Sequence, residues 1–357
     1  MDVIDPTSIS RWPTGIQLSR AFHQDIVRPI LLRHWPELPY SAGRLGQGSD
    51  VLGLDDAMST DHDWGLRLTI LLPAELCPAA RQALDADLPE SFGGFPVRFA
   101  YSGSSSAVHH VDVMSPADFA YARLGFDPSD APTTLDWLSV TGQAALEIIA
   151  GPLFEDGLAE VAHIRKALSW YPDDVWRYVV ACDWARIDQE LPLMSRAGDR
   201  NDELGSRVIA ARLVDIAMHL AFLLRRAWAP YSKWRGTLFH RLDGVEFLSE
   251  HIVAALEAPN WEIRQREVGK ALDELVDMQS SSEFGVPVLR ATEPFWDRPY
   301  VQIESSIIPE LMGQVSDPGV TALPMGVGSI GQRTDNVDIL TDVTLRRAMI
   351  GCASTRS

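Results

Sequence analysis

The hydrophobic periodicity of the chain changes once, near residue 131, and this change constrains the fold more than any other sequence feature. Before it, helical stretches alternate with strand-like ones such as 61–72 (DHDWGLRLTILL), where Leu66, Leu68 and Ile70 alternate with small or polar residues. After the loop FDPSDAPTT, nearly every stretch from 135 to 256 has the 3.6-residue period of a helix. The pattern predicts an α+β part followed by an all-helical part.

The length of 357 residues favours more than one domain, because single hydrophobic cores usually stop growing before this size. We predict a small mixed-sheet domain over 1–131 and a helical bundle over 132–283. A third segment, 284–357, is predicted to extend the chain and to pack on the other two. The predicted elements of the first domain are a helix over 17–34 interrupted at Pro29, strands over 61–72, 95–101 and 108–115, and helices over 73–89 and 116–126.

Composition excludes several classes of partner. The chain has 31 Lys and Arg against 49 Asp and Glu, and a net charge of −18 disfavours binding to long nucleic acids. The three cysteines form no CxxC pair, and the N-terminus MDVIDPTSISRWP is too polar for a signal peptide. The most apolar run, 208–228, is interrupted by charged residues, so no membrane span is predicted. These features predict a cytoplasmic protein.

The stretch 48–65, GSDVLGLDDAMSTDHDWG, holds five aspartates and no Lys or Arg. On the predicted strand 61–72, Asp61 and Asp63 are two residues apart, so their side chains would share one face. Two ionised carboxylates side by side repel each other unless a cation neutralises them. The pattern therefore predicts a site for Mg²⁺ or Mn²⁺, with Asp61 and Asp63 as oxygen ligands.

Two further features extend this site towards a nucleotide. Gly48-Ser49 lies twelve positions before Asp61, and a glycine turn with a hydroxyl suits the close approach of phosphate oxygens. Asp112, between valines in VHHVDVMS, is the candidate for a third metal ligand that also takes the proton of an attacking hydroxyl. The predicted co-substrate is ATP or another nucleoside triphosphate.

The order Gly-Ser, a gap, then Asp-x-Asp resembles the nucleotidyltransferase superfamily that includes DNA polymerase beta and the aminoglycoside nucleotidyltransferases. More narrowly, the 48–65 stretch, together with LGSRVIAARLVDIAMHLAFLL, APYSKWRGTLFHRL and GSIGQRTDNVDIL, resembles a bacterial family known as a domain of unknown function with a nucleotidyltransferase-like fold. The resemblance implies a nucleotidyltransferase domain followed by a helical bundle. It implies that Gly48, Ser49, Asp61 and Asp63 bind nucleotide and metal, and it implies Asp112 less directly.

Cations of the helical part are candidates for the triphosphate. Lys233 follows Pro230 in PYSKW, and Arg207 lies on the preceding apolar stretch, so we expect either to contact the phosphates. Lys233 fits an ordinary surface lysine equally well. The late GSIGQRTDNVDIL predicts either a loop that packs over the first site or a capped turn before the last helix.

The sequence thus favours a Mg²⁺-dependent nucleotidyltransferase that moves a nucleoside monophosphate, most simply AMP from ATP, to a small-molecule or protein acceptor. The alternative is a nucleotide-binding regulator that kept the fold and lost turnover. A third reading, a resistance enzyme acting on aminoglycosides or lincosamides, agrees with the acidic composition but is favoured by no motif. The acceptor, the preferred base and the oligomeric state do not follow from the sequence.

Overall fold

A computed structural model describes residues 13–61, 63–102, 104–282 and 288–351, with the side chain of Asp61 left out. The described chain divides into two compact units. The first comprises the residues up to Ala131 together with Ala144–Ser169, and the second comprises Pro132–Gln143 and the residues from Trp170 onward. The protein is a mixed α+β structure with a largely helical second unit.

The regular elements follow in chain order. The helices are α1 (Gly15–Phe22), α2 (Arg28–His34), α3 (Cys77–Asp87), α4 (Pro116–Leu124), α5 (Thr134–Leu138), α6 (Gly142–Ile149), α7 (Ala159–Ala167), α8 (Asp173–Asp199), α9 (Glu203–Leu224), α10 (Ser232–Phe239), α11 (Glu246–Glu257), α12 (Trp261–Ser280), α13 (Ile307–Gly313), α14 (Pro318–Thr321), α15 (Ile330–Arg333), α16 (Val337–Thr341) and α17 (Val343–Gly351). The strands are β1 (Ser41–Gly43), β2 (Arg67–Leu71), β3 (Ser91–Phe92), β4 (Phe95–Pro96), β5 (Arg98–Phe99), β6 (Val108–Met114), β7 (Leu153–Asp156), β8 (Thr292–Pro294) and β9 (Val301–Ile303).

The first unit is built on a five-stranded mixed sheet in the order β5-β6-β2-β1-β7. Strands β2 and β6 are parallel, whereas β1 is antiparallel to both β2 and β7, and β5 is antiparallel to β6. On one face, Leu68 and Ile70 of β2 pack beside Val111 and Val113 of β6 in the main hydrophobic core. Because side chains alternate along a strand, the other face carries the polar residues of both strands.

The predicted helix over 17–34 is present in two pieces. Between α1 and α2 lies a π-helical turn, His23–Val27, and Pro29 stands directly after it in the first turn of α2. His23 is buried, and its Nε2 lies 3.0 Å from the hydroxyl oxygen of Tyr40. Its Nδ1 has no hydrogen-bond partner among the described residues. Burial, and then the nearby cations Arg28 and Arg20, lower the pKa of His23 to about 4.

Two strand predictions are wrong in extent. The strand predicted over 61–72 begins only at Arg67, because Asp63 and Gly65 both have positive φ, 53° and 143°, which are incompatible with an extended strand. Consequently Asp61, at the end of a 3₁₀ turn (Ala57–Asp61), and Asp63 do not lie on a strand as we expected. The strand predicted over 95–101 is divided into β4 and β5 at Val97, whose N–H donates to Glu90 O.

The second unit has a helical core around α8, α9, α11 and α12. The aromatic residues of α8, namely Trp176, Tyr178 and Trp184, are almost completely buried, as expected for core residues. In the described part of the chain, every helix is either too short or too polar to traverse a bilayer.

Candidate functional site

The polar face of the central strands is the most distinctive feature of the first unit. Arg67 pairs in register with His110, and Thr69 pairs with Asp112, so these four side chains lie on the face opposite the core. The strand position predicted for Asp112 is confirmed. Its carboxylate is exposed and makes no hydrogen bond or ion pair with a described residue.

The turn after β1 is shaped by Gly48, whose φ is 138°. A side chain at this position would collide with Asp50 and Arg44 and would lie 3.1 Å from Nη1 of Arg67, so only glycine fits. Arg44, with 2% of its surface exposed, donates to both oxygens of Asp50 at 2.6 and 2.9 Å and to the carbonyl oxygen of Gln47 at 2.6 Å. This buried ion pair holds the turn in place.

The backbone N–H groups of Gly48 and Ser49, in this turn, are candidate donors to a ligand. No described residue accepts a hydrogen bond from the N–H groups of Gly48, Ser49 or Asp50. Among the described residues, the Ser49 hydroxyl has one hydrogen-bonding neighbour, the Ser59 hydroxyl at 3.5 Å. Successive N–H groups around a glycine with positive φ suit an anion such as a phosphate group.

Arg67 stands between this turn and the acidic segment. Its Nη1 donates to the carbonyl oxygen of Asp63 at 3.1 Å, and its guanidinium lies 5.1 Å from the centre of the Tyr101 ring. Its Nε and Nη2 donate to no described residue. Burial lowers the pKa of Arg67 and the neighbouring Arg44 lowers it further, whereas Tyr101, Asp50 and Asp112 oppose this shift. An anion bound beside Arg67 would stabilise its charge further.

The guanidinium of Arg123 also lies beside this turn. A side chain at Gly46 would lie 2.6 Å from Nη2 of Arg123, and Nε of Arg123 lies 3.6 Å from the Glu147 carboxylate. Burial lowers the pKa of Arg123, Glu147 and Asp112 oppose this shift, and Arg44 adds to it. Arg44, Arg67 and Arg123 thus surround the turn at 46–48.

The pKa of Tyr101 is affected by both the basic and the acidic residues of this region. Burial raises the pKa of Tyr101, the charges of Arg67 and Arg44 lower it, and those of Asp63 and Asp112 raise it. Asp63 and Asp112, which we predicted as metal ligands, are therefore both close enough to Tyr101 to affect its ionisation. The site has a cationic side at the glycine turn and an anionic side at the two carboxylates.

Three of the five aspartates in the acidic stretch have structural partners. Asp50 pairs with Arg44, Asp55 accepts from the N–H of Gly15 at 2.7 Å, and Asp56 accepts from the N–H groups of the following 3₁₀ turn. The negative charge that looks uncompensated in the sequence is thus compensated by groups outside the stretch or by its own backbone.

Of the three predicted metal ligands, the structure describes the side chains of Asp63 and Asp112. Oδ1 of Asp63 accepts from the N–H of Ser102 at 2.7 Å, whereas its Oδ2 has no described partner. The side chain of Asp61 and all of His62 lie outside the described residues. Among the residues that are described, no group of three or more His, Cys, Asp or Glu side chains is arranged to hold a metal ion.

The two cations predicted to contact the triphosphate belong to the second unit. Nζ of Lys233 lies 4.8 Å from the centre of the Trp234 ring. Arg207 pairs with Glu203 at 2.8 Å and donates to the carbonyl oxygens of Ala258 and Leu256, so it closes the end of α11. Their predicted contact with nucleotide stays a prediction.

Asp183 lies at the centre of a polar cluster in the second unit. It is completely buried, and its two oxygens accept from Nη1 of Arg186 at 2.9 Å and Nδ1 of His219 at 2.6 Å. Burial by itself would raise the pKa of Asp183, but His219, Arg186 and a hydrogen bond from Gln332 outweigh it, and the pKa is lowered.

The loop predicted either to cover the first site or to form a capped turn is a capped turn. Ser329 and Gln332 form a capping box at α15, and Nε2 of Gln332 donates to the carbonyl oxygen of Val179 on α8. The late sequence motif therefore fastens α15 to α8 within the second unit.

Sequence reasoning missed Arg44, Arg67, Arg123 and Tyr101. Arg67 had a visible signal, because it occupies a polar position in an otherwise apolar alternating strand. Arg44 is close to the turn in sequence, whereas Arg123 and Tyr101 are brought near it by the tertiary structure.

Comparisons with known proteins identify only part of the chain. Residues 137–235 match a family described as a domain of unknown function, DUF4037. The matched region includes Asp183, His219 and Lys233 but not the Gly-Ser turn or the acidic stretch. No significant match is found among curated proteins or among solved structures.

Proposed function

We propose that the protein is a Mg²⁺-dependent nucleotidyltransferase that transfers a nucleoside monophosphate, AMP from ATP in the simplest case, to a hydroxyl or carboxylate group of an acceptor. The observation that carries the proposal is the position of Arg67, which lies beside the Gly48 turn, donates to the carbonyl oxygen of Asp63 and shares the polar face of the sheet with Asp112. The resemblance of the 48–65 stretch to the nucleotidyltransferase superfamily supports the same assignment.

The cationic side of the site suits the β- and γ-phosphates. The N–H groups of Gly48 and Ser49 and the unengaged donors of Arg67 would bind phosphate oxygens, and Arg67 adds a planar guanidinium that can form two parallel hydrogen bonds.

The anionic side suits Mg²⁺ and the acceptor. Mg²⁺ prefers carboxylate oxygens together with phosphate oxygens, and Asp63 Oδ2 and Asp112 are carboxylate oxygens without described partners. Asp61 joins them on the strength of the sequence motif. When bound, the ion supplies charge neutralisation at the phosphates. Asp112 is the proton acceptor for the attacking hydroxyl, since it is exposed and unpaired.

The direct test uses ATP labelled at the α-phosphorus, Mg²⁺ and fractionated cell extract as a source of acceptors. We expect label in an acceptor and release of pyrophosphate. Asp63→Asn and Asp112→Asn should slow transfer by roughly 100-fold or more, because each removes a group that acts on the reacting atoms. Asp25→Asn, which changes an exposed aspartate on the π-helical turn, is the matched control and should transfer normally. Transfer that survives Asp112→Asn, or no transfer with any fraction, would contradict the proposal.

A second test measures nucleotide binding alone. Arg67→Gln should weaken binding of ATP with Mg²⁺ by about tenfold or more, because a charged hydrogen bond to phosphate is lost. Arg33→Gln, at an exposed arginine paired with Asp87, should leave binding unchanged.

The alternative is a nucleotide-binding regulator without turnover. One observation favours it: an oxygen of Asp63 is already engaged by Ser102. Calorimetry separates the two functions, because a regulator would bind ATP tightly with or without Mg²⁺ and release no pyrophosphate, whereas the enzyme should require Mg²⁺ for tight binding.

A further inference from the structure

A pocket of about 530 Å³ lies along the outer edge of β6 in the first unit. Its polar lining consists of Arg81 and Asp85 of α3, Arg98 of β5, and His109 and Asp112 of β6. The pocket exists because β5 pairs only with the first two residues of β6, which leaves the rest of that edge without a neighbouring strand. Its volume suits a small molecule.

Each arginine of the pocket has N–H groups that donate to no described residue. Nε of Arg81 donates to the carbonyl oxygen of Val113 at 3.0 Å, and Nη2 of Arg98 donates to the carbonyl oxygen of Asp85 at 2.8 Å. These backbone contacts orient both guanidiniums, but neither forms an ion pair with a carboxylate among the described residues. In a chain with a net charge of −18, two oriented guanidiniums without carboxylate partners indicate a place for an external anion.

The acidic side chain of Asp85 does not cancel this preference. It accepts from Nε2 of His109 at 2.9 Å, and Nδ1 of His109 accepts from the N–H of Val111 at 3.2 Å. Because Nδ1 accepts from the N–H of Val111, Nε2 is the nitrogen that donates to Asp85. Asp85 is therefore directed towards His109 and leaves the remaining N–H groups of Arg81 and Arg98 to a ligand.

Asp112 connects the pocket to the candidate site. It lines the pocket and shares the polar face of the sheet with Arg67, and its charge raises the pKa of Arg67, Tyr101 and Arg123. A molecule in the pocket would have a hydroxyl within reach of the carboxylate that we assign as proton acceptor.

We propose that this pocket binds the acceptor, and that the acceptor is a small molecule carrying both an anionic oxygen group, carboxylate or phosphate, and a hydroxyl. This inference rests on the proposed function. The anionic group binds Arg81 and Arg98, and the hydroxyl oxygen attacks the α-phosphorus of the nucleoside triphosphate. The bond from the α-phosphorus to the bridging oxygen breaks, pyrophosphate leaves, and the hydroxyl proton passes to Asp112.

The test measures ligand binding without nucleotide, so it does not depend on turnover. The probes are glycerol 3-phosphate, glycerate and glycerol, which share hydroxyl groups and differ in the anionic group. We expect saturable binding of one or both anionic probes in calorimetry and none of glycerol. The phosphate and carboxylate probes identify which anion is preferred. Arg81→Gln and Arg98→Gln should each weaken binding by about tenfold, since one charged hydrogen-bonding group is lost.

Two further variants make the result decisive. Arg81→Lys, which keeps the charge, should retain part of the affinity, and Arg67→Gln should leave probe binding unchanged while weakening ATP binding. Thermal unfolding of each variant verifies that it is folded. The pocket assignment is overturned if no anionic probe binds, if glycerol binds equally well, or if Arg67→Gln alone abolishes binding. Probe binding that depends on Arg81 and Arg98 in a protein that never transfers label would instead retain the anion pocket and reject the proposed function.

Discussion

Asp112 and Asp183 are both influenced by arginine and histidine, but their environments are opposite. Asp183 is completely buried and holds Arg186 and His219 by direct hydrogen bonds. Asp112 is exposed. Its charge raises the pKa of Arg67, Arg123 and His110, and none of the three forms a hydrogen bond with it. A charge without water needs fixed partners, whereas an exposed one surrounded by cations remains available to a ligand. The same residue types therefore stabilise the second unit and form a candidate site in the first.

The largest expected effect comes from Asp183→Asn. The neutral amide leaves Arg186 and His219 without their carboxylate, and breaking a buried pair costs about 3–5 kcal/mol. Urea unfolding followed by tryptophan fluorescence measures the loss, because Trp176 and Trp184 lie on the same helix. Asp25→Asn is the control and should change the free energy of unfolding by less than about 0.5 kcal/mol. A loss below about 1 kcal/mol for Asp183→Asn would mean that burial does not distinguish the two aspartates.

His23 tests the same rule in a group that is buried without an anionic partner among the described residues. Its pKa is lowered to about 4 from the usual 6.5, so it is neutral in the folded protein near pH 7. As the pH falls from 6.5 to 4, the unfolded chain binds a proton that the folded chain does not, and stability should decrease by about 3 kcal/mol. Urea unfolding at a series of pH values measures this slope. His23→Gln, which can still bond to Tyr40, should show a shallower slope over that range, and an unchanged slope would contradict the assignment.

Gly48→Ala tests the candidate site in the first unit. A φ of 138° is unfavourable for alanine, and the added Cβ would collide with Arg44 and Asp50. The substitution should therefore cost about 1–3 kcal/mol of stability and displace Arg67. Gly53→Ala is a matched control, since Gly53 also has positive φ, 65°, but open space around its Cα. It should cost about 1 kcal/mol and leave ATP binding unchanged. Equal losses of ATP binding in the two variants would argue against a phosphate site at Gly48.

Asp112→Asn should have the smallest effect on stability, within about 0.5 kcal/mol, because no described residue bonds to its carboxylate. Chemical denaturation measures this, in parallel with the label-transfer assay. A variant that is stable but inactive would agree with a functional role. A strongly destabilised one would show that Asp112 has a structural role like that of Asp183.

Much of the architecture was predictable from local patterns. The alternation in β2 identified both the core face, with Leu68 and Ile70, and the polar face, with Arg67 and Thr69. The helical character of the second unit followed from the 3.6-residue period. The predicted interruption at Pro29 is wrong in position, because the π-helical turn His23–Val27 interrupts the helix and Pro29 lies within α2. The start of β2 was not predictable, because alternation continues through Trp64 although Asp63 and Gly65 have positive φ.

Two described features of the candidate site follow from residue type: the glycine that permits the turn at 48 and the carboxylates at 63 and 112. These follow from backbone freedom and charge, which are local properties of each residue. The fold decides how the other charges of the region are used. Arg44 neutralises Asp50 within the turn itself, whereas Gly15 binds Asp55, and Arg67 and Arg123 reach the turn, because residues distant in sequence meet when the sheet forms. Charge pairing depends on these distances, and distances are a property of the fold.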